Sequence, residues 1–320
     1  MAANHKTAVR DIVVIGASAG GVTALKSFVG MLPTDLPAAL FITLHLSGRS
    51  DTVLAEILNS TSSLPANWAV DDEPIMPGRI YLAPPDAHLL LSSGHIKLGR
   101  GPRENLQRPC INVMFRSAAV AYGPRVVGVV LTGLLDDGAS GLWEIQQQGG
   151  VTVVQDPNDA AYRSMPESAI RGGCVDYIVK LAELELLLSG LVRGECLLTE
   201  RHDIAGEPTM SAGGQTCPEC GGAMEKVHFA GLWEYRCHIG HRLGLKSMVA
   251  GKTKLVEQAI AVALSQIEEL TQLLEQLKDS PDSQTRNALV EEIDLRREQA
   301  RQLRQLLEQD RELATATSPK

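Results

Sequence analysis

The sequence predicts an α/β protein, a three-layer α/β/α arrangement around a mainly parallel sheet, with a small Cys/His unit and a C-terminal helical hairpin appended. Three observations predict it. Short apolar, β-branched runs alternate with helix-length segments over residues 11–190. Three cysteines gather near two histidines between Cys217 and His241. From about Thr253 onward, apolar residues recur every three or four positions.

The elements follow in order. DIVVIG at 11–16 is a buried strand, followed by glycines and a helix from about Val22. AALFITLH at 38–45 is a second strand, and RIYLAP at 79–84 and HLLLSS at 88–93 are further candidates. VVGVVLTG at 126–133 is the strongest run, apolar on both faces; GVTVVQD at 150–156 and CVDYIVK at 174–180 follow. Apolar runs separated by helix-length segments mark a parallel sheet covered on both sides. Residues 194–216 turn polar and rich in Gly, Pro, Ser and Thr, which reads as a linker. Val256, Ile260, Leu264, Ile267, Leu270 and Leu274 then lie on one helical stripe. The stripe stops near Lys278-Asp279-Ser280-Pro281 and resumes with Leu289, Ile293, Ala300, Leu303 and Leu307. That pattern predicts an antiparallel hairpin or short coiled coil, a packing arm or a surface for a protein partner.

Composition narrows the function classes. With 320 residues, 44% of them hydrophobic and 21% charged, the chain has ample material for a core. A formal net charge of −8 argues against nucleic acid as main partner, because phosphate binding needs a basic face. No apolar run reaches the roughly 18–20 residues of a membrane span, and MAANHKTAVRD lacks the apolar stretch of a signal peptide. A cytoplasmic location is expected. Cys110, Cys174 and Cys196 are scattered, whereas Cys217, Cys220 and Cys237 form a group, and in a reducing compartment such a group is a metal site more often than a disulfide framework.

VVIGASAGG contains G-x-S-x-G as Gly16-Ala17-Ser18-Ala19-Gly20 between a strand and a helix. A serine at so tight a turn is lifted clear of the sheet, with helix N-terminal amides near a developing oxyanion. A glycine turn that cradles phosphate answers the same pattern. Two further strand ends bear on the choice. His45 closes the second strand and can serve as base. Leu131-Thr132-Gly133-Leu134-Leu135-Asp136-Asp137-Gly138 ends the strongest strand with two carboxylates, either of which can orient a histidine or cap a helix. Sites in parallel sheets lie at the carboxyl ends of strands. The order Ser, His, Asp differs from the Ser, Asp, His of the α/β hydrolases.

GASAGG, ITLH, LTGLLDDGASG, RPCINVMFRSAA at 108–119 and Arg163-Ser164-Met165-Pro166-Glu167-Ser168-Ala169, in this order, resemble the CheB family of chemotaxis protein-glutamate methylesterases. The resemblance covers residues 8–193. It implies a triad of Ser18, His45 and Asp137, with Asp136 a neighbour. It also implies oxyanion donation by the backbone amides of Ala19 and Leu134, and no cofactor for catalysis. The implied substrates are methylated glutamates on cytoplasmic helices of chemoreceptors, with glutamine deamidation a second activity. Two departures stand out. Ala19 replaces a family Thr whose hydroxyl helps hold the oxyanion, and losing one such donor costs other hydrolases about 100- to 1000-fold. Leu134-Leu135 replaces Met-Gly, which alters the turn. Typical members also carry a phosphorylatable receiver ahead of the esterase in a phosphorelay. The catalytic strand here begins at Asp11, so an esterase constitutively open or controlled in trans is expected.

Cys217-Pro218-Glu219-Cys220 and, sixteen residues on, Cys237-His238-Ile239-Gly240-His241 read as a zinc-ribbon-like unit spanning 217–250. Four ligands, Cys217, Cys220, Cys237 and His241 (His238 being the alternative), make a closed structural zinc site. The helical hairpin then covers 251–315. Arg100, Arg103 and Arg108 form a basic cluster, either a solvated loop or a steering patch for an acidic helix, and His88 is expected to be structural.

Overall fold

The computed structural model describes residues 9–45, 53–195, 208–277 and 283–316. Cys196, most of the segment read as linker, and the Lys278–Pro281 turn lie outside the described residues.

A seven-stranded sheet organises the first part of the chain. Its strands are β1 (Ile12–Ala17), β2 (Ala39–Leu44), β3 (Ala66–Trp68) and β4 (Ile80–Leu82). A hairpin of β5 (His88–Ser92) and β6 (His95–Gly99) intervenes before β7 (Val126–Val130), β8 (Val151–Gln155) and β9 (Tyr177–Val179). The sheet order is β3-β4-β2-β1-β7-β8-β9, and every pairing is parallel. Helices α1 (Gly21–Val29), α2 (Leu54–Asn59) and α6 (Leu181–Arg193) supply one apolar layer, through Leu25, Phe28, Leu58 and Leu188. Helices α3 (Ile111–Tyr122), α4 (Ala139–Gln147) and α5 (Ser164–Arg171) supply the other, through Met114, Phe115, Leu142 and Met165. β1 shows why both faces must be apolar: Val13, Ile15 and Ala17 enter the first layer, Ile12 and Val14 the second.

Three readings of the sequence change here. HLLLSS is a strand outside the sheet. It pairs antiparallel with His95–Gly99 and lays Leu89, Leu91 and Ile96 on α3. The edge strand Ala66–Trp68 has too few residues to show a period. The end of the segment read as linker, Thr209–Thr216, is a strand, β10.

β10 opens a second, antiparallel sheet with β11 (Ala223–Phe229), β12 (Leu232–Cys237) and β13 (Arg242–Gly244), in that order. Its small core holds Met224, Tyr235, Leu243 and Met248 beside Cys217 and Cys237. This ribbon packs on the α3/α4/α5 layer. Phe229 meets Trp143 at a ring-centroid distance of 4.6 Å, and Leu232 joins the second-layer core. Residues 1–248 form one compact unit and 249–320 another. The helix α7 (Leu245–Leu277) starts eight residues ahead of the visible stripe. In the second unit the remainder of α7 lies antiparallel to α8 (Ser283–Ala316): Arg297 pairs with Glu275 at 2.6 Å, and Arg304 with Glu268. Among the described residues no helix is long and apolar enough to cross a membrane.

Candidate active site and Cys/His cluster

The order of strand addition reverses at β1: the strands that follow it first run outward through β2 and β4, then restart on its other side at β7. A crevice opens at the carboxyl ends of strands at such a point. Ala17 and Leu44 are register partners, so Ser18 and His45 each stand one residue past a paired position; the His45 amide donates to the Ala17 carbonyl at 3.2 Å. On the other side the Ser18 amide donates to the Thr132 carbonyl at 3.0 Å. The hydroxyl, the imidazole and the loop at 131–138 therefore share one edge of the sheet.

Local sequence explains each placement. Gly20 has φ +75°, a conformation that glycine takes without strain, and it closes the turn into α1. Thr132 Oγ1 donates to the Ala19 carbonyl at 3.0 Å and accepts from the Tyr162 amide at 2.8 Å, which pins the serine turn. Gly133 lets the loop touch the turn: a Cβ there would lie 2.9 Å from Ser18 Cβ and 2.1 Å from Met165 Sδ. Leu135 has φ 65°, in the left-handed region. An L residue is strained there by about 1–2 kcal/mol. Its carbonyl is held by the Ser164 and Ser168 hydroxyls at 3.0 and 3.1 Å. The RSMPESA segment thus anchors the aspartate loop.

His45 Nε2 and Asp137 Oδ2 are 2.8 Å apart. Asp137 is only 2% exposed. Its Oδ2 also accepts the Ile111 amide at 2.7 Å. Its Oδ1 accepts the amides of Asn112 (3.1 Å) and Gly138 (2.9 Å), Asn105 Nδ2 (3.0 Å) and Cys110 Sγ (3.2 Å). The Ile111 and Asn112 amides belong to the first turn of α3, where the helix dipole favours an anion. Burial by itself would push the Asp137 carboxyl up, but hydrogen bonds and charge from His45, with the Ile111 amide and Asn105, hold it at about 2. Asp136 serves a different partner. Its Oδ2 accepts the Lys246 amide at 2.7 Å, and its Oδ1 accepts the Ser247 amide at 3.2 Å and the Ser247 hydroxyl at 2.5 Å. Burial raises its carboxyl against these bonds.

Among the described residues neither the Ala19 nor the Leu134 amide has an acceptor, and the Leu134 side chain is exposed. Arg108 is occupied by Asp86 (2.6 Å) and the Gly101 carbonyl (2.8 Å), a loop clamp apart from the exposed Arg100 and Arg103. His88 is buried, its Nε2 meets the Pro102 carbonyl at 3.0 Å, and burial lowers its pKa. Asn105 and Ser247 carry no local motif, since each partner is far away in sequence, and the bonds Thr132 makes to the serine turn are likewise remote.

In the ribbon, ligand atoms of Cys217, Cys220, Cys237 and His241 all lie within 4.8 Å of one another. Cys220 Sγ and Cys237 Sγ are 3.8 Å apart, and Cys237 Sγ is 3.4 Å from His241 Nδ1. A tetrahedron with Zn–S near 2.3 Å and Zn–N near 2.0–2.1 Å has edges of roughly 3.8 and 3.6 Å. The donor set therefore fits a zinc-sized ion. Among the described residues the cluster takes in His241 and not His238, whose ring packs against Gly222. Burial opposes ionisation of Cys237, but hydrogen bonds from His241 prevail and draw the thiol down to about 6.

A parallel sheet covered on both faces, with a hydroxyl, an imidazole and a buried carboxylate along one edge, defines an α/β/α protein of the kind that places hydrolytic sites at strand ends. Within that class the chain belongs to the CheB methylesterase family, whose model matches residues 13–188. A Leptospira interrogans relative is 40% identical over 182 residues, covering 56% of this chain and 94% of that protein. The protein-glutamate methylesterase/protein-glutamine glutaminase 1 of Geobacter metallireducens is 39% identical over 197 residues, 60% of this chain and 54% of that one. The crystal structure of the Thermotoga maritima CheB methylesterase catalytic domain superposes with a TM-score of 0.55 at 32% identity, covering 57% of this chain and 98% of that domain.

Proposed function

We propose that this chain hydrolyses methyl esters of glutamate side chains on chemoreceptors, with deamidation of glutamine by the same route. Ser18 is the nucleophile, His45 the base and Asp137 the residue that holds the His45 tautomer. His45 takes the Ser18 proton as Oγ attacks the ester carbonyl. The Ala19 and Leu134 amides receive the oxyanion. The intermediate collapses as His45 protonates the departing methoxide, releasing methanol, and water then resolves the acyl-enzyme by the same base. Catalysis uses no cofactor. That substrate sets the proposed reaction in the cytoplasm. Residues 8–193 would be the catalytic domain and 217–250 a zinc ribbon whose four protein ligands make the ion structural. The helices of 251–315 would serve a protein partner. The carrying observation is the 2.8 Å His45–Asp137 contact on the edge that Ser18 shares.

Methanol release from a methylated receptor fragment tests the reading. Ser18→Ala is expected to abolish release and fluorophosphonate labelling while leaving receptor binding intact. Residual release at the wild-type rate would sink it. Ala19 and the left-handed Leu135 favour a second reading, a receptor-binding adaptor with little turnover, which a silent wild-type chain that still binds methylated receptor would support.

A further inference from the structure

Asn105 and Asp136 join the ribbon and the start of α7 to the active-site edge. Asn105 Nδ2 donates to Asp137 Oδ1 at 3.0 Å, while Asn105 Oδ1 accepts the Gly244 amide at 2.8 Å. The Asn105 amide donates to the Arg242 carbonyl at 2.8 Å, so β13 is bonded to Asn105 on both sides. Asn105 is 3% exposed and its φ is 50°, a conformation that Asn and Asp tolerate better than most residues. Asp136 is the second joint, since it receives the first turn of α7 directly after β13. Gly244 sits so close to Asp136 that a Cβ on it would lie 2.4 Å from Oδ2.

The Cys/His cluster lies at the head of this path. His241 immediately precedes β13, and the turn from Cys237 to His241 is closed by two backbone bonds, the Cys237 amide to the His241 carbonyl and the Gly240 amide to the Cys237 carbonyl, both at 3.0 Å. An ion held by Cys237 and His241 would clamp the ends of that turn. From His241 the connection runs through Arg242 and Gly244 to Asn105, then to Asp137 and His45.

We propose that the ribbon is a working part of the hydrolase: Asn105 is a positioning residue that ties the Asp137 carboxylate to β13, and zinc at Cys217, Cys220, Cys237 and His241 sets the turnover of the site through that tie. The proposal rests on the reading of Ser18, His45 and Asp137 as the reacting set. Polar side chains are seldom buried without partners. Here both ends of one buried amide are engaged, one by the ribbon backbone and one by the site. A detached ribbon on a tether would have no use for such a bridge.

Two readouts on the full chain test it: the rate of fluorophosphonate acylation of Ser18, and the pKa of His45 followed by ring-nitrogen NMR. Zinc content is measured in parallel, and the protein is compared as zinc-loaded, chelator-stripped and zinc-restored. Asn105→Gly keeps the left-handed backbone and removes both hydrogen bonds. Asn105→Asp keeps the acceptor for Gly244 and sets a charge beside Asp137. The other titratable groups interacting with Asp137 or its Cys110 neighbour, namely Asp136, Cys110, His88 and Glu104, stay unchanged. Asn105→Gly and stripping are each expected to slow acylation by about 10- to 100-fold, the worth of one hydrogen bond to a charged group. Stripping the variant should add little further. Both substitutions should raise the His45 pKa, because Asp137 loses a donor or gains a like charge, and loss of general stability would not do this. Zinc should restore the stripped wild type and not Asn105→Gly. The proposal is overturned if stripped protein acylates at the loaded rate, if the chain takes up no zinc, or if neither variant moves the His45 pKa. A wild type that resists acylation while its His45 pKa still answers to Asn105 and zinc sinks the esterase reading and keeps the tie.

Discussion

Asp137→Asn is the substitution whose outcome the hydrogen-bond geometry dictates most fully. Four donors converge on Oδ1 (Asn105 Nδ2, Cys110 Sγ and the amides of Asn112 and Gly138), and two groups meet Oδ2, the Ile111 amide and His45 Nε2. An asparagine amide will turn its oxygen to the four donors and its NH2 to the other two. His45 Nε2 must then accept, which moves the ring proton to Nδ1, the nitrogen that takes the Ser18 proton in the proposed reaction. A protonated nitrogen is no base. In a serine protease, the same change of tautomer costs about 10⁴ in kcat, or about 5.5 kcal/mol. The Ile111 amide now faces another donor, and stranding one buried donor costs about 1–3 kcal/mol of stability. Methanol release measures the first quantity and urea denaturation the second. A variant within tenfold of wild-type kcat, folded to wild-type stability, would refute the account of how His45 is held.

Other expectations follow from the same loop. Gly133→Ala sets a carbon 2.1 Å from Met165 Sδ and 2.9 Å from Ser18 Cβ; overpacking of this kind costs about 1–3 kcal/mol. Both melting temperature and Ser18 acylation should fall, and an unchanged acylation rate would show that the loop yields without moving the serine. Asp137 also makes stability depend on pH. Its carboxyl is held at about 2 against an ordinary 3.8, which contributes about 2 kcal/mol by linkage. A depressed carboxyl stabilises the fold in full above pH about 4, and that contribution is lost as pH falls toward 2. Asp136, raised by burial, acts with the opposite sign, so the term is read as wild type minus Asp137→Asn, both retaining Asp136. Parallel stability-versus-pH curves for the two proteins between pH 4 and 2 would contradict it.

Much of this was legible in the sequence, and what was not has a common cause. Runs such as DIVVIG and VVGVVLTG are apolar on both faces because helices cover both, and that pattern needs no partner to be seen. The serine turn, His45 and the two aspartates were visible because each ends such a run. HLLLSS looks the same as a sheet strand, since only its pairing with His95–Gly99 decides where it goes. Thr209–Thr216 is small and polar for most of its length and reads as linker, yet it pairs with β11 through backbone groups that no side chain advertises. Asn105 is the extreme case. It looks like an ordinary loop polar residue, and its two partners lie 32 and 139 residues away. Local spacing carries no trace of bonds so remote.

The pair Asp136–Asp137 shows why these remote bonds matter. Two adjacent carboxylates, both buried, repel each other, and each must be stabilised from a different side. Leu135, bent into the left-handed region just before them, redirects the chain, and Gly138 at φ 90° redirects it again just after. Between those bends Asp137 reaches the first amides of α3 and Asp136 the first amides of α7. Each carboxylate thus caps a helix from outside that helix, and the two N-termini supply the partial positive charge that the repulsion demands. Only one of the helices belongs to the sheet domain; the other starts where the ribbon ends. The neighbour of the site's aspartate is therefore satisfied only when the ribbon is in place. A sheet domain without its ribbon and the start of α7 would leave Asp136 without the Lys246 amide and the Ser247 amide and hydroxyl, one residue from the carboxylate bonded to His45.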